Sequence, residues 1–366
     1  MIRVLVVDDS ALVRKLFGNV LGAEADLQVH FARNGAEALA QLEEFRPHVI
    51  TLDVQMPGMD GLECLDRIMV QRPTPVVMVS SITSQGAEAS LNALQLGAVD
   101  FMAKPSGAVS LRVNEFAPVL KDKIRGAASA RLPASHRLRE RVQFRTGGYA
   151  PPRAEKKPPA AAEPSITRAA GAGIVLVGTS TGGPPALENL LTQLPATFPW
   201  PIVVAQHMPA TFTGALARRL DGICALEVVE VASLLRLEAG KVYIGCGDAD
   251  TVLARRAGEL VVMPAPAKSD YPWHPSTDRL VRSAMQLLPA PQLIGVLMTG
   301  MGNDGALAMA ELHAAGGGTI AEAEETAVVW GMPGELVRAG GASFVVPVQG
   351  IAQRLQQMVP ASAVRT

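Results

Sequence analysis

Cysteine is scarce in this 366-residue chain: Cys64, Cys224 and Cys246 are far apart and odd in number. Such a set fits neither a disulfide framework nor a zinc site, and it suits a reducing compartment. No apolar run reaches the roughly 18 to 20 residues of a membrane span. The N-terminus, MIRVLVVDD, carries an acidic pair where a signal peptide would need its cleavage region, and it reads as a first strand. The expectation is a cytoplasmic protein without direct membrane insertion. A net charge of −1 supplies no global basic field and argues against nucleic acid as a partner. Hydrophobic content of 48% and charged content of 18% are ordinary for soluble α/β material. The length favours two or three domains, and there is no internal repeat.

Residues 1–124 alternate short apolar runs, Arg3–Val7, Val49–Leu52, Val76–Val79 and Val99–Ala103, with helical patterns such as Ala36–Glu44 and Ala87–Gln95. That alternation predicts parallel βαβ units and a doubly wound, flavodoxin-like sheet. Residues 125–171 lose the rhythm. PPRAEKKPPAAAEP lies at their centre, and from Gly126 to Ala170 nine Lys and Arg stand against three Glu, the composition of a semi-rigid, solvated linker. Residues 172–366 resume the alternation, with strands expected at Ile174–Val177, Ile202–Ala205, Lys241–Ile244, Leu293–Met298 and Ser343–Val346. Lys241–Met263 reads as an antiparallel hairpin excursion from a second, mostly parallel α/β sheet.

Asp8 and Asp9 follow the first strand and Asp53 ends the run HVITLD. In a parallel sheet such strand ends lie together at the carboxyl edge, where ligands bind. Crowded carboxylates repel, so Mg²⁺ is the natural resident, and one carboxylate left partly free can attack a phosphoryl group. Ser80 and Lys104, at two further strand ends, offer a hydroxyl and an ammonium to a phosphate on Asp53. The set VLVVDDS, TLDVQMPGMDG, PVVMVSS and AVDFMAKP resembles the receiver domain of bacterial response regulators. The resemblance implies that Asp53 accepts phosphate from a histidine kinase, with Asp8 and Asp9 in the Mg²⁺ site. It also implies that Ser80, Phe101 and Lys104 read out the phosphorylated state.

In the second domain IVLVGTSTGG carries an apolar run into G-x-S-x-G, the turn that lifts a nucleophilic hydroxyl above a strand end. VVAQH ends in His207, and IGVLMTGMGND ends in Asp304. All three follow expected parallel strands and can converge on one sheet edge. There Ser180 would attack, His207 would act as base and then acid, and Asp304 would fix the imidazole. The backbone N–H groups of Thr181 and of Met301, in the Gly300–Gly302 turn, are the candidate oxyanion donors. The order Ser, His, Asp differs from that of α/β-hydrolases, so that fold is not implied. No cofactor is expected for this chemistry. Three rival readings remain in the residues. GTSTGG before a helix could cradle a phosphate, although a Walker lysine and G-x-G-x-x-G are both missing. His274 in WHPSTD could line the pocket while His313 packs, and Cys246 is a minor thiol candidate.

GTSTGGPPAL, AQHMPATFTGALARRLD, HPSTDRL, LMTGMGNDGA, GGGTIAEAEET and VVWGMPGEL resemble the catalytic domain of the CheB chemotaxis methylesterases, and the domain order matches too. The resemblance implies that Ser180, His207 and Asp304 form the triad. The substrates implied are glutamyl methyl esters on methyl-accepting chemoreceptors, with deamidation of receptor glutamines as a second activity. It further implies that the unphosphorylated receiver blocks the ester cleft. Two stretches depart from the family pattern: VYIGCGDADTVL lacks the usual Pro-Gly, His-containing loop, and AEAEET stands where a Gln-Asp-Glu run is common. Both are expected near the pocket mouth, away from the triad. The alternatives are the same enzyme in a non-motility pathway and a receiver-regulated binding protein without turnover. A DNA-binding regulator is disfavoured, because no basic helix-turn-helix is present.

Overall fold

Val4 to Val7 are fully buried, as an unbroken apolar run must be when helices cover both faces of a parallel sheet. The computed structural model describes residues 1–81, 83–104, 109–132 and 173–359, and the chain divides into two compact units. In the first, β1 (Ile2–Val7), β2 (Leu27–Ala32), β3 (Val49–Asp53), β4 (Val76–Ser80) and β5 (Asp100–Ala103) form one sheet. Its order is β2-β1-β3-β4-β5 and every pairing is parallel. Helices α1 (Ala11–Leu21), α2 (Gly35–Glu44), α3 (Gly61–Gln71), α4 (Ser84–Gln95) and α5 (Val109–Ala128) alternate with the strands. Ser10, Asn34 and Asp60 start the first three helices by accepting the amides of Val13, Glu37 and Glu63, which satisfies donors left free at a helix start. The doubly wound expectation is met. Strand β2 had no counterpart in the sequence reading, because its inner residues are polar or exposed at the sheet edge. Helix α5 runs to Ala128, past residue 124, and the expected linker from residue 133 to 171 lies outside the described residues.

The second unit is built on β6 (Ile174–Thr179), β7 (Ile202–Gln206), β8 (Glu227–Val231), β10 (Lys241–Gly245), β13 (Leu293–Leu297), β14 (Gly318–Glu322) and β15 (Phe344–Val346). The order β15-β14-β13-β6-β7-β10-β8 is parallel at every pairing. Helices α6 (Gly183–Thr192), α7 (Ala210–Ile223), α8 (Thr277–Met285), α9 (Ala306–Ala314), α10 (Met332–Arg338) and α11 (Val348–Met358) accompany it.

The hairpin expected at Lys241–Met263 is corrected. Lys241–Gly245 is an interior strand of the main sheet, buried at four successive positions. The antiparallel pair is β11 (Asp250–Arg256) with β12 (Glu259–Ala265), joined through Ala257 and Gly258, both at positive φ, and extended by β9 (Leu235–Arg236). In the large sheet the chain leaves β6 toward β7 on one side and returns through β13 on the other. That reversal of direction is where open α/β sheets open a crevice.

Candidate active site

Three neighbouring strand ends supply the three residues singled out for ester chemistry. Ser180 follows β6, His207 follows β7, and Asp304 lies beyond β13. Thr179 pairs with Gln206, which sets Ser180 beside His207, and the His207 amide donates to the Thr179 carbonyl at 3.0 Å. Gln206 ties the two strand ends further, its Nε2 donating to the carbonyls of Ser180 (3.0 Å) and His207 (3.1 Å). Gly182 sits at φ 77°, in the left-handed region a side chain resists, and starts the helix that carries the turn away. At Gly300 an added Cβ would strike Met332 Sδ and Ser180 Cβ, so only glycine lets the Thr299–Met301 turn come this close to Ser180.

His207 Nε2 lies 2.8 Å from Asp304 Oδ2, and both side chains are less than a tenth exposed. Asp304 Oδ2 also accepts the Thr277 amide (2.6 Å), while Oδ1 accepts Ser276 Oγ (2.9 Å) and the Asp278 amide (3.1 Å). Burial alone would raise this carboxyl, but the His207 ring and the Thr277 and Asp278 amides outweigh it and hold the group below the usual carboxylate range. An ionised Asp304 accepts the Nε2 proton of a neutral ring, which leaves the lone pair on Nδ1. Nδ1 is buried and has no hydrogen-bond partner. No hydrogen bond joins Ser180 Oγ to the ring, yet a buried basic nitrogen beside a serine turn is an acceptor ready for a hydroxyl proton.

The grip on Asp304 comes from Ser276, Thr277 and Asp278, none of which the sequence reading used. Ser276 caps α8 by accepting the Arg279 amide, so a cap signal was visible without its second role. The segment is itself held by Asp250, fully buried, which accepts His274 Nδ1 (2.9 Å), the Ser276 amide (2.9 Å) and Arg279 Nη1. Burial opposes ionisation of Asp250, but His274, the Ser276 amide and Arg279 together keep its carboxyl low. The departing loop VYIGCGDADTVL thus supplies a buried brace one residue from the Asp304 grip. It hydrogen-bonds none of Ser180, His207 and Asp304 directly, and its link to the triad runs through Ser276. His274 is committed to that brace. His313 bonds Ser343 Oγ at 3.1 Å and packs as expected, and burial pushes the Cys246 thiol up, away from reactivity. In AEAEET, Glu322 is 1% exposed, whereas Glu324 and Glu325 face outward.

In the first unit the carboxylate oxygens of Asp8, Asp9 and Asp53 lie within 4.8 Å of one another. Lys104 Nζ bridges Asp53 (2.7 Å) and Asp8 (2.8 Å), offsetting their mutual repulsion. Burial raises the Asp53 carboxyl, Lys104 opposes that, and Asp8 adds to it. Ser80, at the neighbouring strand end, turns its hydroxyl toward Ser90 Oγ (3.2 Å) and the Gly86 carbonyl, and Phe101 is buried on β5. Three acidic oxygens within reach of one point are a donor set that fits a hard dication.

Residues 175–355 match the CheB methylesterase family model, and residues 4–114 match the response regulator receiver domain. A protein-glutamate methylesterase/protein-glutamine glutaminase of Rhodopseudomonas palustris is 57% identical, with 96% of each chain covered. This chain belongs to the CheB methylesterase family. A second relative of the same description, from Rhodospirillum rubrum, is 51% identical over 97% of this chain and 95% of its own. The solved CheB methylesterase catalytic domain of Thermotoga maritima is 37% identical, with a TM-score of 0.49 and coverage of 51% of this chain and 98% of that one.

Proposed function

We propose that the protein is a phosphorylation-activated protein-glutamate methylesterase. It hydrolyses glutamyl methyl esters on methyl-accepting chemoreceptors to glutamate and methanol, and deamidates receptor glutamines. One observation carries the reading. The buried His207–Asp304 pair leaves a single unpartnered ring nitrogen on the strand beside Ser180.

Ser180 Oγ attacks the ester carbonyl as His207 Nδ1 takes its proton, and Asp304 steadies the resulting imidazolium. The Thr181 and Met301 amides receive the oxyanion. His207 then returns the proton to the leaving methoxide, methanol departs, and water repeats the sequence on the acyl-serine.

The receiver, residues 1–124, takes phosphate on Asp53 from a chemotaxis-type histidine kinase. Asp8, Asp9 and Asp53 hold Mg²⁺, which when bound neutralises charge between carboxylate and phosphate. Ser80, Phe101 and Lys104 read the phosphate, and a linker, residues 125–171, joins the receiver to the catalytic domain, residues 172–366. Among the described residues no helix is long and apolar enough to cross a membrane. That agrees with an enzyme working in the cytoplasm on receptor helices.

Methanol release from methylated chemoreceptor membranes, with and without a small phosphodonor and Mg²⁺, tests the whole reading. Release that rises with phosphodonor and vanishes in Ser180→Ala is the expected result. Ligand retention without any release, in both proteins, would favour a binding protein built on GTSTGG.

A further inference from the structure

Glu322 ends β14, 1% exposed, behind the turn that approaches Ser180. Its Oε2 accepts the Thr299 amide at 2.7 Å, and its Oε1 lies 3.0 Å from Thr326 Oγ1. Thr299 in turn organises the site: its carbonyl accepts the Ser180 amide (3.0 Å) and Thr179 Oγ1 (3.1 Å), and its hydroxyl donates to the Thr181 carbonyl (2.9 Å). The next residues, Gly300 and Met301, are the turn facing Ser180.

The hydrogen bonds around Glu322 are complete for a neutral acid. Thr326 Oγ1 accepts the Val348 amide (3.0 Å), donates to the Ala323 carbonyl (3.3 Å), and has one lone pair left for an acid proton on Oε1. Among the described residues no basic group balances a charge here. Of the elements packed on β14, the strands β13 and β15 carry no ionisable side chain. Helix α9 carries Glu311, paired with Arg282, and His313, bonded to Ser343. Helix α10 carries the Glu335–Arg338 pair, and α11 places Arg354 over the Phe344 ring. Glu324 and Glu325 on the following loop are exposed. An isolated buried carboxylate is strongly disfavoured, and burial pushes Glu322 up to about 7.

We propose that Glu322 is a positioning residue of the ester site that works as a neutral carboxylic acid, and that its ionisation behind the Thr299–Met301 turn slows ester hydrolysis. Neutral, it holds the Thr299 amide without adding charge. Ionised, it sets a negative charge near a forming oxyanion. From Thr299 to Met301 the chain spans at most about 7.6 Å. A like charge roughly 10 Å away, at an effective permittivity of about 20, slows such a step by about tenfold. The proposal rests on the esterase reading above.

Glu322→Gln keeps both contacts, accepting Thr299 N–H and donating to Thr326 Oγ1, and cannot ionise. Methanol release by the full-length protein, measured from pH 6 to 9, is expected to give a kcat/KM ratio of E322Q to wild type that climbs roughly tenfold across the range. In parallel, the Thr299 amide proton, followed by NMR, should titrate near neutrality in the wild type and stay flat in E322Q. A ratio constant with pH would overturn the link to rate. A Thr299 amide that does not titrate would overturn the neutral acid. Absence of methanol release from both proteins at every pH would overturn the esterase reading and the rate link together, with the amide titration still deciding the state of Glu322.

Discussion

Trp273 lies parallel to the His207 imidazole, ring centroids 5.9 Å apart and planes 6° from parallel. The indole walls one face of the base, and its far edge packs where a side chain on Gly302 would stand. A face of this kind excludes water and favours the cationic ring formed during reaction. Trp273→Ala is expected to lower kcat/KM by about tenfold, with Trp273→Phe recovering most of the loss. Equal losses in the two variants would show that the flat ring is irrelevant.

Ser276→Ala removes one of four donors on Asp304. A hydrogen bond to a charged group contributes about 1.5–3 kcal/mol, so kcat should fall between about tenfold and a hundredfold with KM little changed. A change confined to KM would argue against a role through Asp304.

Gly300→Ala would force its methyl onto Met332 and Ser180. The expected result is loss of nearly all turnover with a modest fall in thermal midpoint. Turnover close to wild type would show that the turn can retreat from Ser180 without consequence.

Asp53→Asn should reduce the ratio of methanol release with and without phosphodonor to one. Persistent stimulation would place the phosphate elsewhere in the receiver.

Glu322 also bears on stability. Its folded-state pKa, about 7, lies above the usual 4.5. Between those values the folded protein holds a proton that the unfolded chain has released, so stability falls as pH rises from about 4.5 to about 7 and then levels off. Glu322→Gln removes that loss, on the order of 3 kcal/mol. Denaturant midpoints of the two proteins should therefore coincide near pH 4 and diverge, E322Q the higher, by pH 8.

Ser180, His207, Asp304, Asp8 and Asp53 were legible because each is a polar residue at or just beyond the end of a buried apolar run, a pattern that survives in one dimension. The main-sheet strands β2, β8 and β14 were not, the first two because polar or exposed residues break their apolar runs and the third for its small residues. β10 was expected as a strand but also drawn into the hairpin that a short turn joins to it, and register, not composition, decides which sheet a strand enters. The grip of Ser276 and Thr277 on Asp304, and of Glu322 on Thr299, depends on segments 23 to 28 residues apart meeting in space. Their residue types gave only a helix cap and an odd acid.

The ester site is stitched from distant stretches of chain: 97 residues separate His207 from Asp304, and 120 separate Thr179 from its partner Thr299. Contacts that far apart form late, after most loop-closure entropy has been lost. A nascent chain released as far as Asp304 would already hold all three reacting groups, yet would still lack β14 and the Glu322 that anchors Thr299. Hydrolytic competence should therefore emerge only once synthesis has passed β14, well after the receiver that precedes it in the chain is complete.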